Sequence, residues 1–174
     1  MKYRIKDAYE PLNQHSTIRS TIQEYIESAG SDFFDFNALR GFGKGIIPTE
    51  ILNQDPVIKQ ILDNTPCNMG GMVFHMNPWT CYEWHCDGIR GCAINMLIKG
   101  QGHTYFGNKI NKYLHQIDEL VYEPNQLYLF NTTVEHTIIN EHQERWMLSI
   151  GFDKSEESLD YHELHAMCQS LGLV

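Results

Sequence analysis

The sequence predicts a mainly-β domain, two antiparallel sheets closed as a sandwich or barrel, with helices before it and one short helix after it. Three observations carry this. From residue 70 onward, short runs of extended character are cut by Asn77-Pro78, Asp87-Gly88, Gly100 to Gly102 and Pro124-Asn125. Ahead of residue 67, apolar residues recur at helical spacing. The chain has 174 residues, 42% of them hydrophobic, which suits one domain with a real core, residues 1–174.

The N-terminal portion, residues 1–66, reads as helices and loops. Ile18, Ile22, Ile26 and Ala29 share a helix face, with Ser16 as the cap and Gly30 as the stop. The next segment, SDFFDFNALRGFGKGI, sets Phe33, Phe34 and Phe36 beside Gly41, Gly43 and Gly45. It either packs its rings on the core or, hinged at its glycines, forms a lid over residues 31–47. It lacks the GxGxxG spacing and flanking elements of a phosphate loop. Asp55 and Pro56 start a second helix as N-cap and first residue. Val57, Ile58, Ile61 and Leu62 form its apolar face, and Asn64 to Pro66 stops it.

The core, residues 70–152, carries strands at 70–76, 80–86, 91–99, 103–107, 113–122, 126–130, 134–140 and 145–152. The tail, residues 158–174, closes with a helix. Asp160 and Glu163 make its capping box, and Leu164, Met167, Cys168 and Leu171 its buried side.

Thirteen basic against 22 acidic residues give a net charge of −9. That argues against a nucleic-acid partner or an anionic membrane surface. No run of apolar residues is long enough to span a bilayer, and the opening MKYRIKDAYEPLN has no signal-peptide core. Five cysteines, Cys67, Cys81, Cys86, Cys92 and Cys168, are an odd set without a secretion signal. They point to free thiols in a reducing, cytoplasmic compartment. They form no closed four-ligand zinc set with the nearby histidines.

The residues that carry chemistry are His85, Asp87, His136 and Arg145. In WHCDG, His85 and Asp87 are two apart, so a strand turns both side chains to one face. His136 follows in a second extended segment, VEHTIIN. Two imidazoles and a carboxylate occupy one face of an octahedral ion and leave the other positions open, which suits non-haem Fe(II). Arg145 comes nine residues after His136, past a turn in NEHQE, and starts the last strand. There its guanidinium suits the far carboxylate of a small diacid chelated to the metal. In RWMLSIGF, alternation puts Arg145, Met147 and Ser149 on one face, so Ser149 shares the pocket of Arg145. His15, His103, His115 and His142 read as surface histidines, and His162 and His165 lack a third metal partner.

The order HxD, distal His, then Arg resembles the Fe(II)- and 2-oxoglutarate-dependent oxygenases. WHCDGIRGCAINMLI, PNQLYLFNTTVEHTIIN and RWMLSIGF look like their metal-bearing and closing strands, and the resemblance covers residues 70–152. It implies a double-stranded β-helix, or jelly roll, with His85, Asp87 and His136 on Fe(II) and Arg145 on 2-oxoglutarate. It implies catalysis in which O2 and 2-oxoglutarate are consumed, succinate and CO2 released and a C–H bond hydroxylated. Relatives that halogenate lack the carboxylate, and Asp87 is present. Asn95 is expected to bond the co-substrate or the metal-bound carboxylate, or to serve the fold. Tyr105 and His75 are further candidates for the co-substrate pocket. Arg90 is a candidate for a substrate carboxylate or a rim salt bridge. The small size and nine-residue spacing look like the prolyl hydroxylase branch, whose substrate is a polypeptide. A free amino acid or small metabolite is the alternative substrate. A cupin-like metal enzyme independent of 2-oxoglutarate and a catalytically silent β-sandwich binding module are the alternative functions.

Overall fold

In a computed structural model, which describes residues 5–37, 41–65, 69–109, 115–153 and 159–174, two antiparallel sheets face each other. The strands are β1 (Tyr9–His15), β2 (Asp35–Asn37), β3 (Phe42–Ile47), β4 (Gly71–Met76), β5 (Thr80–His85), β6 (Arg90–Lys99), β7 (His103–Lys109), β8 (His115–Val121), β9 (Gln126–Phe130), β10 (His136–Asn140) and β11 (Arg145–Asp153). The larger sheet runs β1-β9-β6-β11-β4-β3-β2 and the smaller β5-β10-β7-β8. The helices are α1 (Arg19–Ala29), α2 (Thr49–Leu52), α3 (Pro56–Asn64) and α4 (Tyr161–Ser170). This is the jelly-roll architecture expected from the sequence, with helices at both ends of the chain.

Strand alternation sorts the core into two layers. Cys92, Ile94, Met96 and Ile98 of β6 and Trp146, Leu148, Ile150 and Phe152 of β11 meet the helices through Ile22, Ile26, Ile58, Ile61 and Leu164. The opposite parity, Ala93, Leu97 and Met147, meets Phe106, Leu120, Tyr122 and Phe130 between the sheets. Each fully buried aliphatic or aromatic side chain contributes roughly 1.5–3 kcal/mol. The helix layer therefore stiffens the large sheet from behind while its inner face stays available for a site.

The segment before residue 67 holds three strands where helices and loops were expected. β1 was hidden by Pro11 and by its lack of alternation; it is an edge strand, where a missing N–H is tolerated. β3 was hidden by its glycines. They clear space for aromatic rings: a Cβ on Gly45 would stand 2.2 Å from Phe33, and one on Gly43 2.7 Å from Phe36. Phe33 and Phe34 pack against the helix-side core, and β3 pairs with β2 on one side and β4 on the other. Residues 42–47 are thus sheet, not lid, while residues 38–40 of that segment, the Pro66 stop, Cys67 and residue 158 lie outside the described residues.

Ser16 serves the start of α1 from two residues ahead of the N-cap, its Oγ accepting the Ile18 N–H at 3.3 Å. Ile18 takes the N-cap position, and the Ser16 hydroxyl donates to Asp55 Oδ2 at 2.8 Å. Asp55 caps α3, with Oδ1 accepting the N–H groups of Val57 and Ile58 at 3.0 and 2.9 Å. Its Oδ2 also accepts the Thr17 N–H at 2.7 Å. One fully buried carboxylate thus joins the starts of two helices. Asp55→Ala removes a cap and strands several buried donors, so a loss of about 3 kcal/mol is expected. Chemical denaturation checks this, with metal affinity unchanged because Asp55 lies in the helix layer.

Asp160 and Glu163 form the expected capping box on α4. Cys81, Cys92 and Cys168 are free thiols, and burial pushes those of Cys92 and Cys168 up to about 12. Among the described residues no helix is long and apolar enough to cross a membrane.

Candidate active site

β5 and β10 are neighbours in the small sheet, and their register sets His85 opposite His136. Asp87 follows β5, and its N–H donates to the Thr132 carbonyl at 2.9 Å, which ties the chain after β5 to the loop before β10. His85, Asp87 and His136 offer ligand atoms that all lie within 4.8 Å of one another; this is the one such cluster among the described residues. Each imidazole is oriented from behind by the carbonyl two residues earlier. His85 Nδ1 meets the Glu83 oxygen and His136 Nδ1 the Val134 oxygen, both at 2.8 Å. A carbonyl only accepts, so each Nδ1 carries the proton and each Nε2 keeps its lone pair for a metal. The donor set fits a divalent ion with open coordination positions.

Burial lowers the pKa of His136 from 6.5 to about 4, the Val134 carbonyl opposing and neighbouring His85 reinforcing the shift. The ring is neutral at physiological pH, as a ligand must be. An unfolded His136 takes up a proton at higher pH than the folded one. Its contribution to stability is therefore complete above about 6.5 and is lost as pH falls towards 4. Metal-free protein should melt at progressively lower temperature across that window, and His136→Gln should show a shallower slope.

The triad lines a cavity of about 200 Å³ that also holds Arg145, Asn95, Ser149 and Arg90. Arg145 starts β11 opposite Met76 of β4 and is 2% exposed. Its Nη2 donates to Thr104 Oγ1 at 3.4 Å, its Nη1 lies 3.8 Å from Met76 Sδ, and its Nε has no partner. The Tyr122 ring lies 5.5 Å from the guanidinium carbon. Burial lowers the pKa of this guanidinium and Tyr122 opposes the shift, but an arginine stays charged. Among the described residues no carboxylate pairs with it. Two glycines make its room: a Cβ on Gly102 would stand 2.9 Å from Nε, and one on Gly100, at φ +84°, 2.0 Å from the Glu144 carbonyl oxygen.

Asn95 and Ser149 face each other across β6 and β11. Asn95 Oδ1 is buried without a partner, and so faces the same cavity as the unpartnered Nε of Arg145. The orphaned Nε donor and the buried cation that carries it fit a carboxylate, whereas Asn95 Oδ1, an acceptor, is matched only by a donor. Arg90 Nη2 lies 2.6 Å from Asp87 Oδ2 in an ion pair, and Nη1 donates to Ser149 Oγ at 2.8 Å. The rim salt bridge, rather than an open substrate clamp, is what the structure contains.

Two candidates lie elsewhere. Thr104 and Phe106 of β7 point inward, so Tyr105 points out and stacks on His103 with ring centres 6.4 Å apart. Phe74 and Met76 of β4 likewise face the cavity, which turns His75 to the helix side, against Phe34 at 5.0 Å and Glu144 at 3.3 Å. The hydroxyls near Arg145 belong instead to Tyr122 and Thr104, whose side chains are 3.4 Å apart. Inward parity on β7 could have found Thr104. Tyr122 continues the inward parity of Asp118 and Leu120, so alternation along the expected strand 113–122 could have found it too. An aromatic wall of Phe42, Phe74 and Tyr82 was also missed; Phe42 lies 5.4 Å from Phe74 and 5.5 Å from Tyr82.

No protein-family model matches the sequence, and no curated protein does. Solved structures do resemble the fold. A prolyl hydroxylase from Trichoplax adhaerens, solved with a hypoxia inducible factor peptide fragment, aligns with a TM-score of 0.62 at 14% identity, over 92% of this chain and 87% of its own. A collagen prolyl hydroxylase of Paramecium bursaria Chlorella virus-1, in a 2-oxoglutarate complex, gives 0.56 at 12%, over 84% and 95%. HygX from Streptomyces hygroscopicus, with nickel, 2-oxoglutarate and hygromycin B bound, gives 0.56 at 8%, over 85% and 82%. The chain shares the jelly-roll fold of these structures. Within that fold the His-Asp-His triad is a candidate metal centre.

Proposed function

We propose that the protein is an Fe(II)- and 2-oxoglutarate-dependent dioxygenase that hydroxylates a C–H bond of a protein side chain, such as a prolyl ring, in the cytoplasm. The observation that carries this reading is Arg145, a buried cation with no ion pair among the described residues, in the cavity that also holds the triad. An unpaired buried charge is costly, and a dicarboxylate compensates it.

His85, Asp87 and His136 hold the metal through Nε2, Oδ1 and Nε2. Bound Fe(II) and 2-oxoglutarate supply the oxidising power: O2 is consumed, 2-oxoglutarate leaves as succinate and CO2, and one carbon exchanges hydrogen for hydroxyl. Arg145 takes the carboxylate of 2-oxoglutarate remote from the metal, with Thr104 and Tyr122 as neutral partners. Asn95 and Ser149 flank the co-substrate. Phe42, Phe74 and Tyr82 exclude water and offer a flat apolar wall to a ring-shaped side chain. The two prolyl hydroxylases among the similar structures support the protein substrate. HygX, with its bound hygromycin B, favours the second reading, a small-molecule substrate.

The test is incubation with Fe(II), 2-oxoglutarate, O2 and a library of proline-containing peptides, followed by mass spectrometry. One added oxygen per succinate formed is expected. Succinate stimulated only by metabolites moves the substrate to the second reading. Folded, iron-loaded protein that makes no succinate with any substrate overturns the oxygenase assignment.

A further inference from the structure

We propose that Arg90 is a positioning residue that limits Asp87 to a one-oxygen metal ligand; the inference rests on the metal-site reading above. Three contacts fix the guanidinium. Nη2 holds Asp87 Oδ2 at 2.6 Å, Nη1 holds Ser149 Oγ at 2.8 Å, and the guanidinium carbon lies 5.6 Å from the centre of the Phe74 ring. The stem lies over Gly151, where a Cβ would come within 2.7 Å of Arg90 Cδ. The Arg90 carbonyl accepts the Thr132 hydroxyl at 2.7 Å, and the Thr132 carbonyl accepts the Asp87 N–H at 2.9 Å. Side chain and main chain of the Asp87–Arg90 turn are therefore both anchored.

A free carboxylate beside a metal can rotate or chelate with both oxygens. With Oδ2 held in that ion pair, Oδ1 is left facing His85 Nε2 at 3.6 Å, on the side where the imidazoles converge. One-oxygen ligation keeps the remaining coordination positions for co-substrate and O2. A cation this close to a metal also repels it. Electrostatics alone thus predicts that removing Arg90 tightens metal binding, whereas positioning predicts that it weakens. The sign separates the two roles.

The test is anaerobic calorimetric titration of the metal-free protein with Mn(II), with circular dichroism as the fold control. Arg90→Met keeps the stem and loses the charge, and Arg90→Lys keeps the charge and loses the planar fork. Gly151→Ala leaves Arg90 intact but displaces its stem. Both Arg90 variants are expected to bind Mn(II) about 10- to 100-fold more weakly, the range for groups that orient a ligand from behind. Gly151→Ala should weaken it in the same direction, and the visible spectrum of the Co(II)-loaded Arg90→Lys protein should differ from wild type in intensity. Variants that bind Mn(II) as tightly as wild type, or more tightly, overturn the proposal and leave Arg90 as a rim charge or a substrate clamp. Folded wild-type protein that binds no Mn(II) overturns the metal-site reading and this inference with it. If Arg90→Met does not fold, Arg90→Lys and Gly151→Ala decide.

Discussion

Arg145→Met raises the melting temperature of the metal-free protein and removes its affinity for 2-oxoglutarate. Arg145 is 2% exposed, has a long hydrogen bond to Thr104 and a weak one to the Met76 sulfur, and leaves Nε without a partner among the described residues. Burying an ion without its counter-ion costs several kcal/mol in general, and an apolar replacement of similar length recovers part of that. A gain of about 1–3 kcal/mol, or a few degrees, is expected for a chain of this size. The same change takes away the charged partner of a carboxylate inside a water-poor cavity, worth about 2–5 kcal/mol, so the dissociation constant for 2-oxoglutarate should rise by about 100-fold or more. Arg145→Lys keeps the charge without the bidentate fork and should fall between the two. Thermal melts with and without 2-oxoglutarate read both effects. A variant that is less stable yet binds 2-oxoglutarate normally would show that Arg145 serves the fold.

The second large effect is expected for His136→Ala. Groups that merely orient a metal ligand are worth 10- to 100-fold in affinity, so losing a ligand itself should cost more than about 100-fold. His136 is 4% exposed and packs against Phe130 and Phe106, with ring centres 5.0 and 6.0 Å away. Truncation therefore also opens a cavity, and the fold must be checked by circular dichroism. In wild-type protein, saturating Mn(II) should raise the melting temperature by mass action; in His136→Ala that increment should vanish. An unchanged increment would remove His136 from the metal site.

The strands from residue 71 onward were legible because turn residues bound short runs of extended character, as continuous apolar runs in β6 and β9 and as alternating faces in β11. β9 falls at Gln126–Phe130, as the turn at Pro124-Asn125 required. The caps at Asp55 and Asp160 were legible because a side chain's bond to a nearby backbone N–H is a local event. β1 and β3 were not legible, since Pro11 and the β3 glycines contradict strand propensity and only tertiary packing explains them. The triad and Arg145 could be brought together on paper through strand faces. Tyr105 and His75 could not be placed correctly, because one step of parity on β7 or β4 moves a side chain from the cavity to the opposite surface. The Phe42–Phe74–Tyr82 wall comes from elements distant in sequence, and no local spacing announces it; Tyr122 shares the inward parity of Leu120 and was within reach. The pairing of Arg90 with Asp87, three residues away, was within reach of sequence reasoning; its second anchor on Ser149 was not.

The central claim is that metal and 2-oxoglutarate meet in one cavity between His136 and Arg145. Visible absorption of anaerobic Fe(II)-loaded protein, recorded before and after adding 2-oxoglutarate, tests it most directly. A new metal-to-ligand charge-transfer band is expected, weakened in Arg145→Ala and abolished in His136→Ala. Folded protein that has bound iron and shows no band on adding 2-oxoglutarate would contradict the account and return the site to a metal enzyme of another kind.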